Sequence, residues 1–336
     1  MARLAVVMGD PTGIGPEVLV KTLARGFSQD LLLIGDAEVW RDAQEVAGLT
    51  VGLIPADRPA PPAGGGVPFM HLPPHDRTWT RGVMSAAAGR AAATWLEEAV
   101  RLALAGEADA VVFAPLNKQA IIRAGYGVRD EYELCAQLAH VDEHDEMNVI
   151  PHPAAATEER LLWVGRVTGH TPFREIPAQL SRARILRTIR LAHRVASGAG
   201  TAPPAIGVAA LNPHAGEGGL LGDEEDRVIR PAIEDAVAQG IRAAGPIPAD
   251  HIFRQARAGR FDVVVAMYHD QAQIATKLLE FEMGVSVGVG YPFVMTTPSH
   301  GTAFDIAGRG VADPRPMRQA LTIAARLATP VEDGPP

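Results

Sequence analysis

The sequence predicts an α/β protein of two α/β/α domains with mainly parallel sheets. Three observations carry this. Short apolar runs alternate with helical stretches, most of those runs are continuously apolar, and the chain is 336 residues long. Alternation of strand and helix is the mark of crossover connections. Continuously apolar strands are buried on both faces, as in parallel sheets. At roughly 150 residues per domain the length gives about two domains.

The elements follow in order. Leu4–Met8 is an apolar run closed by Gly9-Asp10-Pro11. Pro16 and Glu17 then open a helix, since Pro suits the first helical position and an acid suits the positive helix end. Leu31–Ile34 is the next buried strand. Residues 55–77 are crowded with Pro and Gly and predict a surface loop inside one domain. Ser85 is placed as the N-cap of a long Ala-rich helix containing Trp95, Leu96, Ala99 and Leu102. Ala110–Phe113 and Leu161–Val167 are strands, and Ile185, Ile189 and Ala192 share a helical face. Ile206–Leu211 is a strand. Asp223 starts a helix with Glu224, Glu225 and Asp226 in its first turn. Its apolar stripe is Val228, Ile229, Ala232, Ile233, Ala236 and Val237, and Gly240 ends it. Val263–Met267 is again a strand. No internal repeat is visible, and the final PVEDGPP reads as a frayed tail.

Composition narrows the function. With 47% apolar and 21% charged residues the chain is not mostly disordered. Lys plus Arg number 31 against 39 Asp plus Glu, a formal charge of −8. Such a chain is a poor general nucleic-acid binder, because phosphate contacts need clustered cations. No apolar run approaches the roughly 18 residues of a membrane span. The start, MARLAVVMGDP, reads as a first strand and not as a signal peptide. Cys135 is the only cysteine, which removes internal disulfides and Cys-based zinc sites and fits a cytoplasmic location.

Ligands of open α/β sheets gather at the carboxyl ends of strands. Thr168-Gly169-His170-Thr171, Asn212-Pro213-His214 and Tyr268-His269-Asp270-Gln271 each follow a strand. Three histidines so placed could share one metal ion, or each is a hydrogen-bonded loop histidine. No HExxH motif is present. The Gly-rich segment from His214 to Gly222 could let a ligand approach the backbone, or it is a connector. It lacks the Gly-Lys-Ser/Thr ending of a P-loop. Gly13-Ile14-Gly15-Pro16 is not a dinucleotide fingerprint, because Val18 stands where the third glycine is required. Residues 300–314 pack polar and glycine residues densely, either for a ligand or as a turn-and-helix connection capped by Asp305.

Together these pieces resemble the 4-hydroxythreonine-4-phosphate dehydrogenase family of vitamin B6 biosynthesis over nearly the whole chain. The carriers are GDPTGIGPE at 9–17, LNPHAGEGG at 211–219, GPIPAD at 245–250, AMYHDQ at 266–271 and HGTAFDIAGRGVADP at 300–314. The last block is also similar to the cofactor segment of isocitrate and isopropylmalate dehydrogenases. The resemblance implies a homodimer of two-domain subunits with the active site in the interdomain cleft. It divides the chain into 1–125 plus 270–336, carrying the cofactor segment, and 126–269, carrying metal ligands and dimer contacts. It implies NAD or NADP and a divalent metal (zinc, cobalt, manganese, nickel or magnesium) on His170, His214 and His269. Asp250 and Lys277 match residues near the reacting substrate, and His300, Gly301, Thr302 and Asp305 match the cofactor segment.

The departures concern the substrate. Where the family reads Gly-His-Thr-Glu this chain reads Val128-Arg129-Asp130-Glu131, so the phosphate-holding His and Thr become Arg129 and Asp130. The family's Asn is Ser286 and its Arg is Met295. An anionic Asp facing a phosphate is unfavourable, and Met neutralises no anion. The expectation is therefore an NAD(P)- and metal-dependent dehydrogenase, with decarboxylation, of a non-phosphorylated hydroxy acid such as a cis-dihydrodiol carboxylate. On that expectation Arg129 pairs with a second carboxylate and Met295 packs on a ring. Asp250, or a water it orients, takes the hydroxyl proton, and Lys277 reprotonates after carbon dioxide leaves. The alternatives are 4-hydroxythreonine 4-phosphate itself or a four-carbon sugar-acid phosphate. From other classes, a cofactor-free metal-dependent hydrolase or lyase and a non-catalytic ligand-binding descendant stand beside them.

Overall fold

The computed structural model describes residues 1–64, 66–155, 160–280 and 282–329. The PVEDGPP tail lies outside them. The chain forms two compact units, the first from 1–145 with 285–329 and the second from 146–284.

The first unit opens with β1 (Arg3–Val7), α1 (Gly15–Leu23), β2 (Asp30–Gly35), α2 (Ala37–Ala47), β3 (Gly52–Pro55) and β4 (Gly66–His71). It continues with α3 (Ala86–Leu104), β5 (Ala110–Phe113), α4 (Lys118–Arg123) and α5 (Glu131–Ala139). The second unit holds β6 (Asp145–Pro151), β7 (Leu161–Arg166), α6 (Ile176–Gln179), α7 (Arg182–Gly198), β8 (Ile206–Ala209), α8 (Arg230–Ala238), β9 (Ala243–Ile247), α9 (Ala249–Arg257), β10 (Val263–Ala266) and α10 (His269–Leu279). The chain then returns to the first unit as β11 (Val285–Val289), β12 (Val294–Pro298) and α11 (Arg315–Ala328).

In the first unit the strands run β3-β4-β2-β1-β5-β12-β11. They are parallel except for β11, which pairs antiparallel with β12. α3 packs on one face, while α1 and α11 pack together, α11 against β1, β5 and β12. The residues of β1 and β2 are accordingly buried almost without exception, as two-sided burial requires. In the second unit the order is β6-β7-β10-β8-β9, with only β6 antiparallel. Leu162, Val164, Val264 and Ala266 meet Ile252, Phe253 and Ala256 of α9. The alternate residues of β7 point the other way: a Cβ on Gly165 would lie 3.5 Å from Thr188 of α7. Helices thus cover both faces, and the α/β reading holds in both units.

Three local readings change. β4 lies inside residues 55–77, paired in parallel with β2 through Leu33 and Phe69. Val67 and Phe69 are buried there, and the surrounding prolines mask the run. The helix from Asp223 begins as a π-turn over Glu225–Ile229 before α8 takes over. Pro231 has no N–H to give the preceding turn, and Val237 of the expected stripe is exposed. Finally, the changeovers fall at 145/146 and 284/285, not at 125/126 and 269/270. α5 packs on α3 and so stays in the first unit, while α10 packs on β7 and β10 and so stays in the second.

Candidate active site

In the second unit, strands β7, β10, β8 and β9 are parallel neighbours in that order. Their carboxyl ends lead to His170, His269, His214 and Asp250 respectively. Four of the five expected catalytic and metal residues therefore share one edge of one sheet. His170 and His269 meet there, with ring centroids 5.2 Å apart. His269 Nδ1 lies 2.7 Å from Asp270 Oδ1, and His214 Nδ1 lies 3.0 Å from Glu217 Oε2. A carboxylate only accepts, so each imidazole donates from Nδ1, which in a neutral ring leaves the lone pair on Nε2. That is the tautomer a metal ion binds, with the carboxylate orienting the ring.

The donor chemistry is that of a divalent transition-metal site, and His170 and His269 lie side by side. The third histidine does not join them. The His214 side chain is exposed and held to its own turn, and among the described residues no three His, Cys, Asp or Glu side chains gather as a metal site. Asp250 is exposed in the first turn of α9. Lys277 is exposed near the end of α10. At 1.5 Å per residue it lies roughly 12 Å along the axis from His269, so its own unit does not bring it to the histidines.

The segment carrying His214 has an unusual backbone. His214, Ala215, Gly216, Glu217 and Gly218 all have positive φ, at 52°, 55°, 81°, 46° and 66°. Three of them bear side chains, and each such residue costs about 1–2 kcal/mol in this region. The buried Glu225 carboxylate faces the start of the turn. Its Oε1 accepts from the N–H of Leu211 at 2.8 Å and of Asn212 at 2.7 Å, and its Oε2 accepts from Asn212 Nδ2 at 2.9 Å.

In the first unit the expected cofactor segment interlocks with the 9–17 block. Ile14 N donates to Thr302 O at 3.0 Å, and a Cβ on Gly13 would lie 2.9 Å from Thr302 O. Gly82 N donates to Thr12 O at 2.8 Å. Lys21 is clamped by Glu17 Oε1 at 2.7 Å, Gly310 O at 2.9 Å and Ala312 O at 2.8 Å, and Glu17 Oε1 also accepts from Ala312 N at 2.9 Å. Gly301 and Asp305 are exposed, Thr302 is buried, and burial pushes His300 below its ordinary value. A cavity of about 180 Å³ opens beside these segments, lined among others by Pro11, Gly13, Asp42, Trp79, Arg81 and Gly308. Ligand pockets usually span about 300–1,000 Å³, so it is smaller than a whole ligand site. Asp10, wholly buried, accepts from Thr12 N and Oγ1 through Oδ1, while Oδ2 has no hydrogen-bond partner among the described residues. Burial pushes its carboxyl up, against the two Thr12 bonds that pull it down.

The altered substrate shell is occupied by the fold itself. Asp130 caps α5. Arg129 is exposed and reaches Glu133 Oε2 at 3.0 Å. Ser286 Oγ is 3.3 Å from Ser299 Oγ. Met295 is wholly buried against Gly288, so it offers no surface to a substrate ring. The sequence reading passed over Lys21, Glu225 as an anchor, and Lys118, whose ammonium lies 3.8 Å from the buried Glu131. Lys21 and Glu225 resemble ordinary helix-end charges, and only burial distinguishes them.

The family model for "Pyridoxal phosphate biosynthetic protein PdxA" matches residues 28–324. A 4-hydroxythreonine-4-phosphate dehydrogenase of Beijerinckia indica is 40% identical over 330 residues, covering 97% of this chain and 95% of that protein. A D-threonate 4-phosphate dehydrogenase of Cupriavidus necator is 40% identical over 337 residues, covering 97% of each. The crystal structure of a 4-hydroxythreonine-4-phosphate dehydrogenase from Klebsiella pneumoniae has TM-score 0.82 at 36% identity, covering 98% of both chains. That of a terephthalate 1,2-cis-dihydrodiol dehydrogenase from Burkholderia xenovorans has TM-score 0.65 at 29% identity, covering 97% of this chain and 98% of that one. A β-decarboxylating dehydrogenase from Thermococcus kodakarensis shares the fold, with TM-score 0.52 at 16% identity, covering 96% and 82%. From its sequence and its fold alike, the chain belongs to the PdxA family of pyridoxal phosphate biosynthetic proteins.

Proposed function

We propose that this protein is a dehydrogenase of a phosphorylated hydroxy acid, 4-hydroxythreonine 4-phosphate or a threonate 4-phosphate. The observation that carries it is 40% identity over 97% of the chain to dehydrogenases named for those two acids. The non-phosphorylated acid expected from the altered shell has weaker support. Its named counterpart stands at 29% identity and TM-score 0.65. The objection that Asp130 repels a phosphate also weakens, since its carboxylate is engaged at the N-terminus of α5. Arg129, an exposed guanidinium beside it, is the cation this reading assigns to the phosphate.

On this reading His170 and His269 would hold a divalent metal, and His214 on the adjacent strand end would complete the set only when its ring turns from Glu217. Bound there, a metal ion supplies Lewis-acid polarisation of the substrate hydroxyl. NAD or NADP, bound beside His300, Gly301, Thr302 and Asp305, supplies the hydride acceptor. Asp250 shares the edge with the histidines and takes the hydroxyl proton, directly or through a water. Lys277 receives no step within its own unit, and decarboxylation is left to the substrate's own chemistry. The test is NADH or NADPH formation with Mn²⁺, Zn²⁺ or Co²⁺ on two substrate sets. Turnover of the 4-phosphorylated acids alone supports the reading. Turnover of dihydrodiol carboxylates alone overturns it.

A further inference from the structure

We propose that Glu225 is a positioning residue for this reaction, holding the left-handed turn that presents His214. The proposal rests on the reading of His214 as part of the active site. An acid in the first turn of a helical segment normally faces water, as Asp226 does, paired one turn on with Arg230 at 3.0 Å. Glu225 instead is 2% exposed and turns back on the chain before the turn. Both its oxygens are used there, on the N–H groups of Leu211 and Asn212 and on the Asn212 side chain. The middle of the turn also closes on the same carboxylate. A Cβ on Gly216 would lie 2.9 Å from Glu225 Oε2 and 3.0 Å from Gly222 O.

The Asn212 side chain also donates to Glu224 Oε2 at 2.7 Å, and the turn's backbone bonds are local: Ala215 N to Asn212 O at 3.2 Å and Leu221 N to Gly216 O at 3.0 Å. Neither backbone bond reaches outside residues 212–221. Of the two carboxylates that tie the turn to the helical segment behind it, Glu225 is the one that also takes the backbone N–H groups of Leu211 and Asn212. His214 stands between Asn212, which Glu225 bonds, and Gly216, which lies against Glu225, and its ring is held by Glu217 of the same turn. Where the turn goes, the imidazole goes. Without the carboxylate the side-chain-bearing residues relax toward negative φ, and His214 leaves its place.

The test is a double-mutant cycle in the full chain with Glu225→Gln, His214→Ala and both together. Three quantities are read: Zn²⁺ affinity by calorimetry with Zn²⁺ alone, hydrogen exchange of residues 211–221, and kcat with KM on the 4-phosphorylated acids. Glu225→Gln is expected to weaken Zn²⁺ binding and lower kcat by about tenfold each, with KM little changed and exchange at 211–221 faster. In the His214→Ala background the same substitution is expected to add nothing. An unchanged Glu225→Gln protein, or an equal loss in both backgrounds, overturns the proposal. A His214→Ala protein with native Zn²⁺ affinity and kcat overturns the functional reading as well, which separates the two failures. If Glu225→Gln does not fold, Asn212→Ala at its half-buried position carries the same cycle, and native behaviour there overturns the proposal.

Discussion

The Asp130 carboxylate accepts a hydrogen bond from the backbone N–H of Glu133 at 2.9 Å, closing the first turn of α5. The residue expected to face a phosphate is a helix cap. Asp130→Ala is expected to cost about 1 kcal/mol of stability, read as a lower denaturation midpoint, with KM for the phosphorylated acid within twofold of native. A KM that falls severalfold would show that the carboxylate does repel the substrate.

Arg129 is 82% exposed and its pair with Glu133 contributes little to stability. Arg129→Ala is expected to leave the melting temperature alone and raise KM for a phosphorylated acid about tenfold, the worth of one charge-assisted hydrogen bond. Steady-state kinetics with a phosphorylated and a non-phosphorylated acid in parallel checks it. Equal KM changes for both would remove Arg129 from phosphate recognition.

Lys21 ties Glu17 to the backbone at Gly310 and Ala312. Lys21→Met leaves a buried carboxylate without its cation, at a cost of about 3–5 kcal/mol. It also frees residues 310–312 and with them the expected cofactor segment. A raised KM for NAD at temperatures where the variant is folded is the expected result. Native KM for NAD would confine Lys21 to stability.

Two pH dependences have opposite sign. The Asp10 carboxyl is pushed up by burial, so the folded state holds its proton more tightly. Its favourable contribution is full below the ordinary Asp value, about 3.9, and is lost as pH rises through the raised folded value. Asp10→Asn removes that loss and is expected to melt higher than native at pH 7, with the difference closing toward pH 4.

His152 is buried, its Nε2 2.9 Å from Phe261 O and its Nδ1 accepting from Ala154 N at 3.1 Å. Burial pushes it below the ordinary value. The neutral ring contributes stability above about pH 6.5, and that contribution is lost as pH falls through the lowered folded value. Melting temperatures from pH 7 to 5 should fall for the native protein and fall less for His152→Asn, which keeps an acceptor for Ala154. An unchanged slope would transfer the effect to other groups, His300 first among them.

The apolar strand runs and the helices at Pro16 and Ser85 were legible because local pattern alone decides them. β4 was not, because Val67 and Phe69 are recognisable as strand only once β2 lies beside them. The placement of His170, His214 and His269 after strands could be read from the chain. Their adjacency could not, because it depends on β10 lying between β7 and β8, a matter of long-range pairing. Glycines at 216, 218 and 219 hinted at a turn in the LNPHAGEGG block. Nothing in His214, Ala215 or Glu217 announces a positive φ.

That turn has a consequence for how the gene can drift. From His214 to Gly218 the chain coils with the hand that mirror-image amino acids prefer, so D-alanine suits position 215 better than the L-alanine encoded there. Ordinary substitution has no access to that remedy. Each exchange of a glycine for a side chain here adds to a tension the genetic code offers no other way to relieve, and the block is expected to change more slowly than the helices around it.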